Sequence, residues 1–366
     1  SSAASDVYKR QIENNLSLRG QRNEIQKSNY AISENRAKLL PQINGVANFN
    51  DNFDPPVSVT DGSAYDKPYN VTQTLQYNAA AGLQLQMPLY NQTVYTALSI
   101  SKVLDEISRL SYEKAREDLM MQIAKMYYLG QATAEQITLV KANIARLEEL
   151  RDITVAFYDN GMAMEVDVKR VNINLENLQV QYDNAQAMLA QQLNMLKYVM
   201  DYPAEKDITL EPVNAETIAP IELTGLSENL YELQLLQSKS DLAERQKKMI
   251  SHGYIPSLTL TGNWMYTAYT DKLHHWFHSG PSNHWYRSYG LGLALRVPIF
   301  DGLDKKYKIR KAKIDLENIR LAQENTRKNL ETQYVNATND LMNNQRNFKK
   351  QKDNYLLAED VYEVTS

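Results

Sequence analysis

Cysteine is absent from all 366 residues, which excludes disulfides and thiolate metal sites and is compatible with export. No run of about 18 apolar residues occurs, so no transmembrane helix is expected. A transmembrane β-strand stays open, because its signal is only about ten alternating residues. Glycine and proline are sparse, at 13 and 11, and no proline lies between Pro88 and Pro203 or after Pro298. Long uninterrupted helices therefore fit in two places. Charge of one sign is also lacking: 40 basic against 44 acidic residues leave a net charge of −4 and no basic footprint for nucleic acid. The first residues, SSAASDVYKRQ, hold no apolar signal-peptide region, and residues 1 to 11 are expected to be extraneous to the fold.

What the chain does have is a strand pattern that occurs twice. In LQYNAAAGLQLQMPLYN, from Leu75 to Asn91, Leu75, Tyr77, Ala79, Ala81, Leu83, Leu85 and Met87 share one face. Gln76, Asn78, Ala80, Gly82, Gln84 and Gln86 share the other. The altered copy, YGLGLALRVPIFD from Tyr289 to Asp301, sets Tyr289, Leu291, Leu293, Leu295 and Val297 against Gly290, Gly292, Ala294 and Arg296. Each copy is expected to end at its proline, Pro88 or Pro298, and to open into a long helix. Alternation alone fits a half-buried strand of a soluble sheet just as well.

Taken in order, a helix is expected from Ile12 to Leu40, stopped by Pro41, then a strand QINGVANFN with Ile43, Ala47 and Phe49 on its apolar face. Residues 51 to 72, with paired prolines and Asp-Gly, read as a polar loop, after which the Leu75–Asn91 strand returns antiparallel to the first. The helical pattern from Thr93 to Asp159 spans about 100 Å at 1.5 Å per residue, longer than a compact domain requires. Tyr158, Asp159, Asn160 and Gly161 make a turn, and a helix returns from Met164 to Met200. Its seam of Val168, Val171, Leu175, Leu178, Tyr182, Ala185, Leu189, Leu196 and Val199 has 3-4 spacing, broken only by Gln192, and predicts an antiparallel coiled-coil hairpin. Residues 201 to 224, holding Pro203, Pro212 and Pro220, form a connector.

The second half repeats the first. Glu228, Asn229, Leu233 and Pro256 match Glu13, Asn14, Leu18 and Pro41 at an offset of 215, and Pro298 matches Pro88 at 210. A strand SLTLTGNWMY follows Pro256, and the last helix begins near Leu303. The expected domains are residues 12–200 as the first repeat, 201–224 as connector, and 225–366 as a second repeat lacking its returning helix. Two β-hairpins per chain cannot close a useful barrel, so a barrel shared among symmetric copies is the economical expectation.

These pieces resemble the TolC-like outer-membrane efflux proteins. The residues that carry the resemblance are ENNLSL at 13 to 18, LLPQI at 39 to 43, MPLYN at 87 to 91, YIPSL at 254 to 258, VPIFDG at 297 to 302 and RDITVAFYDNGMAMEVDV at 151 to 168. The resemblance implies a mainly α fold with a β-barrel portion: a homotrimer whose chains each give four strands to a twelve-stranded transmembrane barrel, continued by a periplasmic α-barrel. It implies an outer-membrane conduit of a Gram-negative cell, without chemistry or cofactor of its own. Its partners would be outer-membrane lipid, a periplasmic adaptor and an inner-membrane transporter of the RND, ABC or MFS class. By position, Tyr158, Asn160, Gly161 and Met162 would form the adaptor-contacting tip. Pro41 and Pro256 would mark the helix-to-strand seams, and Pro88, Asn91, Pro298, Asp301 and Gly302 the strand-to-helix seams. The family's gating carboxylates would lie on a returning helix that this sequence is expected to lack.

Other clusters favour plainer readings. His274, His275, His278 and His284 fall in a Gly/Pro loop without a carboxylate at helical spacing, which suits a solvated extracellular loop better than a metal site. Trp264, Trp276 and Trp285, with Tyr266, Tyr286 and Tyr289, suit the outer membrane interface better than a core. Glu165 and Asp167 lack a nucleophile and are expected to help start the returning helix. The competing class is a soluble coiled-coil scaffold or periplasmic adaptor, which would carry one hairpin in small β-domains rather than two hairpins each preceded by a strand pair.

Overall fold

The computed structural model describes residues 15–66, 68–212, 225, 227, 229–277 and 284–365. Residues 1–14, Glu228, His278 and the connector from residue 213 to 224 lie outside the described residues. The elements run α1 (Leu16–Ala37), β1 (Gln42–Asp51), β2 (Val57–Asp61), β3 (Tyr69–Gln73), β4 (Tyr77–Tyr90), α2 (Gln92–Asp159), α3 (Glu165–Val199), α4 (Tyr231–His252), β5 (Ser257–Thr270), β6 (Trp285–Arg296) and α5 (Asp304–Thr365). No described helix is apolar enough to cross a membrane.

The halves correspond closely. α1 and α4 each have 22 residues and begin 215 positions apart, as do β1 and β5. The chain divides into two compact units, one of residues 27–105 and 238–321, the other drawn from the described residues of 1–26, 106–237 and 322–366.

The first unit is built on an antiparallel sheet of order β1-β4-β5-β6. β1 pairs with β4 from Gln42↔Gln86 to Asp51↔Tyr77, β4 with β5 around Leu83↔Trp264, and β5 with β6 around Leu260↔Leu293. That register sets Ile43, Leu83, Leu85, Trp264, Tyr289 and Leu291 on one face, where they line a shallow apolar groove. Asn44, Gln84, Gln86, Thr261, Asn263 and Gly292 lie along the other. Gly82 lies where β4 and β5 approach closely: a Cβ there would meet the Trp264 carbonyl oxygen at 2.1 Å, so only glycine fits without moving backbone.

Three expectations change. Residues 51–72 do not form a simple loop, because β2 and β3 make a second small hairpin with Val59 opposite Val71. The alternation V-S-V-T was the signal for it, outweighed in the reading by Pro55, Pro56 and Asp61-Gly62. β4 does not end at Pro88 but continues to Tyr90; its register slips between Pro88 and Tyr90, so the missing N–H falls where the ladder is already irregular. β5 extends to Thr270 and β6 begins at Trp285, each four residues beyond the expected span at the end away from the helices.

In the second unit the protected residues of α3 follow the expected seam, with Ala185, Leu196 and Val199 buried and Gln192 half-buried. The core joins Leu18 of α1, Ile123 of α2 and Leu196, Val199 and Met200, with Tyr112, Met126, Tyr202, Ile208 and Leu210 around them. Asn15 serves two helices at once. Its Oδ1 accepts from the N–H groups of Ser17 at 2.9 Å and Leu18 at 3.2 Å, while its Nδ2 donates to the Val199 carbonyl at 2.9 Å. α3 then ends in a left-handed Asp201 (φ 53°), with Tyr202 N–H bonded back to the Lys197 carbonyl. The connector crosses α2 at Gly130: Leu210 Cδ1 would lie 2.9 Å from a Cβ there, and Gln131 Nε2 donates to the Glu211 carbonyl at 2.7 Å. The missing side chain of Gly130 is what leaves room for that crossing.

Leu196 is 2% exposed in this cluster and Tyr198 is 78% exposed beside it. Leu196→Ala is expected to destabilise the unit by about 2–5 kcal/mol, and Tyr198→Ala by less than about 0.5 kcal/mol, read by chemical denaturation followed by circular dichroism.

Candidate functional site

Four chain crossings between helix and sheet are built from local sequence. α1 ends at Ala37, and Leu39 and Leu40 donate back to Arg36 and Ala37, both at 3.0 Å, before Pro41 starts the extended chain. α4 ends at His252 in the same way: Tyr254 and Ile255 donate to Ser251 and His252 at 3.1 and 3.0 Å before Pro256. The i→i−3 bonds tighten the last turn, and the proline that follows bars the preceding residue from helix.

The two return crossings differ. Asn91 directly precedes α2, and its Oδ1 accepts from Thr93 N–H at 3.1 Å and Thr93 Oγ1 at 2.6 Å. Pro298 lies beyond the end of β6, and Gly302 and Leu303 are both left-handed, with φ of 68° and 69°, before α5 begins. Asp301 bridges that bend. Its Oδ2 accepts from the Lys305 N–H at 3.2 Å and from Lys305 Nζ at 3.0 Å. Lys305 Nζ also lies 4.9 Å from the centre of the Tyr254 ring, so one ammonium ties the β6-to-α5 crossing to the α4-to-β5 crossing. Sequence reasoning placed Asp301 here but missed Lys305 and Tyr254; the i,i+4 spacing of Asp301 and Lys305 was the available signal.

Around the first return crossing, Thr96 is 6% exposed and gives its hydroxyl proton to the Gln92 carbonyl at 2.8 Å. His252 Nδ1 lies 2.6 Å from that same oxygen, within hydrogen-bond distance. Arg245 and Ser99 are hydrogen-bonded nearby. Asn35 Nδ2 donates to the buried Ser101 hydroxyl at 2.6 Å, and Ser28 donates to Asp105 at 2.7 Å.

At the other end of α2, Tyr158, Asn160, Gly161 and Met162 form the turn into α3. Met162 N–H bonds to the Phe157 carbonyl at 2.8 Å and Gly161 N–H to Tyr158 at 2.9 Å, with Gly161 at φ 74°. This is a Schellman ending, which requires the left-handed residue that glycine supplies. Asn160 Nδ2 donates to the Ala156 carbonyl at 2.7 Å. Asp167 accepts from the Met164 N–H at 3.1 Å, so this acid starts the returning helix. Tyr158 and Met162 are 43% and 69% exposed, leaving an apolar surface at the turn.

The aromatic rim lies at the sheet's far end. Trp276, in the short 3-10 turn Leu273–Phe277, packs 5.7 Å from Phe49 and 6.3 Å from Trp285, and Phe49 stacks on Tyr77 at 6.1 Å. Trp276 thus serves local packing, while Trp264 and Trp285 remain about half exposed on the apolar face. His274 and His275 are edge to face at 4.4 Å, and among the described residues no three His, Asp or Glu side chains converge as a metal site.

Asp301 is held below the ordinary carboxylate value, chiefly by the hydrogen bond from the Lys305 ammonium and also by the Lys305 N–H. A depressed carboxyl pKa stabilises the fold above the unfolded value, and that contribution is lost as pH falls through the folded one. Protection of the Lys305 amide from hydrogen exchange is expected to fall on acidification in the wild type and to be already low and pH-independent in Asp301→Asn.

Comparison with known proteins adds three findings. A family model described as outer membrane efflux protein matches residues 7–200, more than half of the chain. The outer membrane protein TolC of Vibrio cholerae is 24% identical over 286 residues, which cover 74% of this chain and 59% of that protein. This chain therefore spans less than two-thirds of that relative's length. Among solved structures, a membrane protein from Pseudomonas aeruginosa superposes with a TM-score of 0.71 at 16% identity, covering 93% of this chain and 76% of that one. The CmeC outer membrane channel of Campylobacter jejuni gives 0.70 at 18% identity, over 98% and 76%. At these identities the superpositions establish the fold, which is that of outer-membrane channel proteins.

Proposed function

Because the chain belongs to the outer membrane efflux protein family, we propose that it is a subunit of a trimeric outer-membrane channel. One observation carries this reading: a four-stranded sheet whose outer edges, on β1 and β6, have no strand partner among the described residues and whose apolar face is exposed, with Ile43 at 66%, Leu291 at 78% and Leu293 at 67%. In lipid, unpaired edges cost several kcal/mol per unsatisfied group. Joining β6 of one copy to β1 of the next, around a threefold axis, removes every edge and makes a twelve-stranded barrel. The apolar face then meets lipid, and the face of Asn44, Gln84, Gln86, Thr261 and Asn263 lines a polar lumen.

The proline crossings at Pro41, Pro88, Pro256 and Pro298, with Asn91, Asp301 and Gly302, are the ring where that barrel passes into periplasmic helices. Residues 12–200 and 225–366 act as two repeats of one design, with 201–224 as a belt around the helices. The exposed turn of Tyr158, Asn160, Gly161 and Met162 is the surface for a periplasmic adaptor, through which the channel couples to an inner-membrane RND, ABC or MFS transporter. The protein performs no chemistry; it conducts substrates selected by its partners.

The trimer and barrel are tested together. In planar bilayers the full-length channel is expected to conduct, and Leu83→Arg or Leu293→Arg is expected to abolish assembly at a cost of about 2–4 kcal/mol per chain, whereas Gln84→Arg assembles and shifts ion selectivity. Equal tolerance of charge on both faces would argue against the barrel. For the tip, a photo-crosslinker at Asn160 is expected to capture the adaptor, and capture only from residues 57–73 would reverse the orientation.

A further inference from the structure

Arg287 stands apart on the apolar face of β6. Its neighbours along that face are Trp285 and Tyr289, its cross-strand partner is Tyr266, and Leu291, Leu293 and Leu295 continue the face toward the α5 crossing. The guanidinium lies 5.6 Å from the centre of the Tyr289 ring, is exposed, and forms no ion pair with a described carboxylate. A lone cation among exposed aromatics and leucines is costly in hydrocarbon unless it lies at an interface.

Two observations set its level. Arg287 is nine residues along β6 from Arg296, the strand's last residue. At about 3.4 Å per residue and a tilt of about 40°, that separation is about 23 Å of height, close to the roughly 25 Å apolar band of such barrels. One row further out, Ala268, which pairs with Trp285, is 0% exposed, and the Trp276 side chain packs against both Phe49 and Trp285 of that row. Arg287 therefore lies one row inside the aromatic cluster at the far end of the sheet.

We propose that Arg287, framed by Tyr266, Trp285 and Tyr289, is a binding site for the phosphate of an anionic lipid headgroup in the outer leaflet. The guanidinium offers a planar fork of donors that matches phosphate bidentately, and the rings supply the interfacial wall for the lipid body. The cation–π contact with Tyr289 holds the fork on this face instead of in solvent. This inference rests on the reading of the apolar face as lipid-facing.

Trp264 and Trp285 flank the site and report on it. The full-length channel is reconstituted with brominated phosphatidylcholine or brominated phosphatidylglycerol, and quenching of tryptophan fluorescence gives the relative affinity for the two lipids. The wild type is expected to prefer the anionic lipid about fivefold, the worth of one basic residue near a membrane surface. Arg287→Gln is expected to lose the preference while keeping the overall quenching, and Arg287→Lys to keep most of it. A preference unchanged in Arg287→Gln would overturn the site. Competition by inorganic phosphate would overturn the lipid as its ligand. Absence of quenching by either lipid in the wild type would instead overturn the lipid-facing reading itself.

Discussion

The hydrogen-bonding capacity left open along the outer edges of β1 and β6 governs the rest of this structure. A backbone N–H or C=O that cannot reach water needs a protein partner. Within the chain β4 and β5 meet that need on both sides, and β1 and β6 on one side each. The exposed apolar face compounds the constraint, because a face carrying Leu291, Leu293 and Leu295 gains from leaving water only if the edges are also closed. The proposed sharing of a barrel between copies would answer both demands at once.

Passing from such a sheet to long helices imposes a second requirement, an abrupt change of backbone at each crossing. The two helix-to-strand crossings solve it identically, with a tightened last turn followed by Pro41 or Pro256. The two strand-to-helix crossings solve it differently: Asn91 caps α2 directly, whereas Asp301 reaches across two left-handed residues to Lys305. The second solution recruits Tyr254 from the neighbouring crossing, so a local cap becomes a clasp between two parts of the chain. The two halves have matching elements, and each has its own way of holding the turn.

Away from the sheet, stability is carried by small economical contacts instead of a large core. Asn15 caps α1 and satisfies the end of α3 with one side chain, and Leu210 crosses α2 where Gly130 leaves room. The apolar residues that remain exposed along α3, among them Ile173 and Val180, recur seven apart on a face other than the hairpin seam. Period-seven rows of this kind suit helices that meet neighbours on more than one side, as the proposed α-barrel requires.

The sequence by itself determined the order and kind of the main elements, the duplication, the hairpin seam and the crossings. Those properties are periodic or depend on proline, glycine and asparagine, whose backbone effects are local. The Val168–Val199 stripe was legible for that reason, and so was the turn at Gly161. Only the tertiary structure decided what depends on residues far apart in the chain: the β4–β5 pairing that joins the halves, the Tyr254–Lys305–Asp301 clasp, Leu210 over Gly130, and the packing of Trp276 on Phe49 and Trp285. The small hairpin Val57–Gln73 fell between these cases, since its alternation was present but its turn residues argued for a loop. Local chemistry sets where the backbone can bend; which surfaces then meet is set by pairing and packing energies that no short stretch contains.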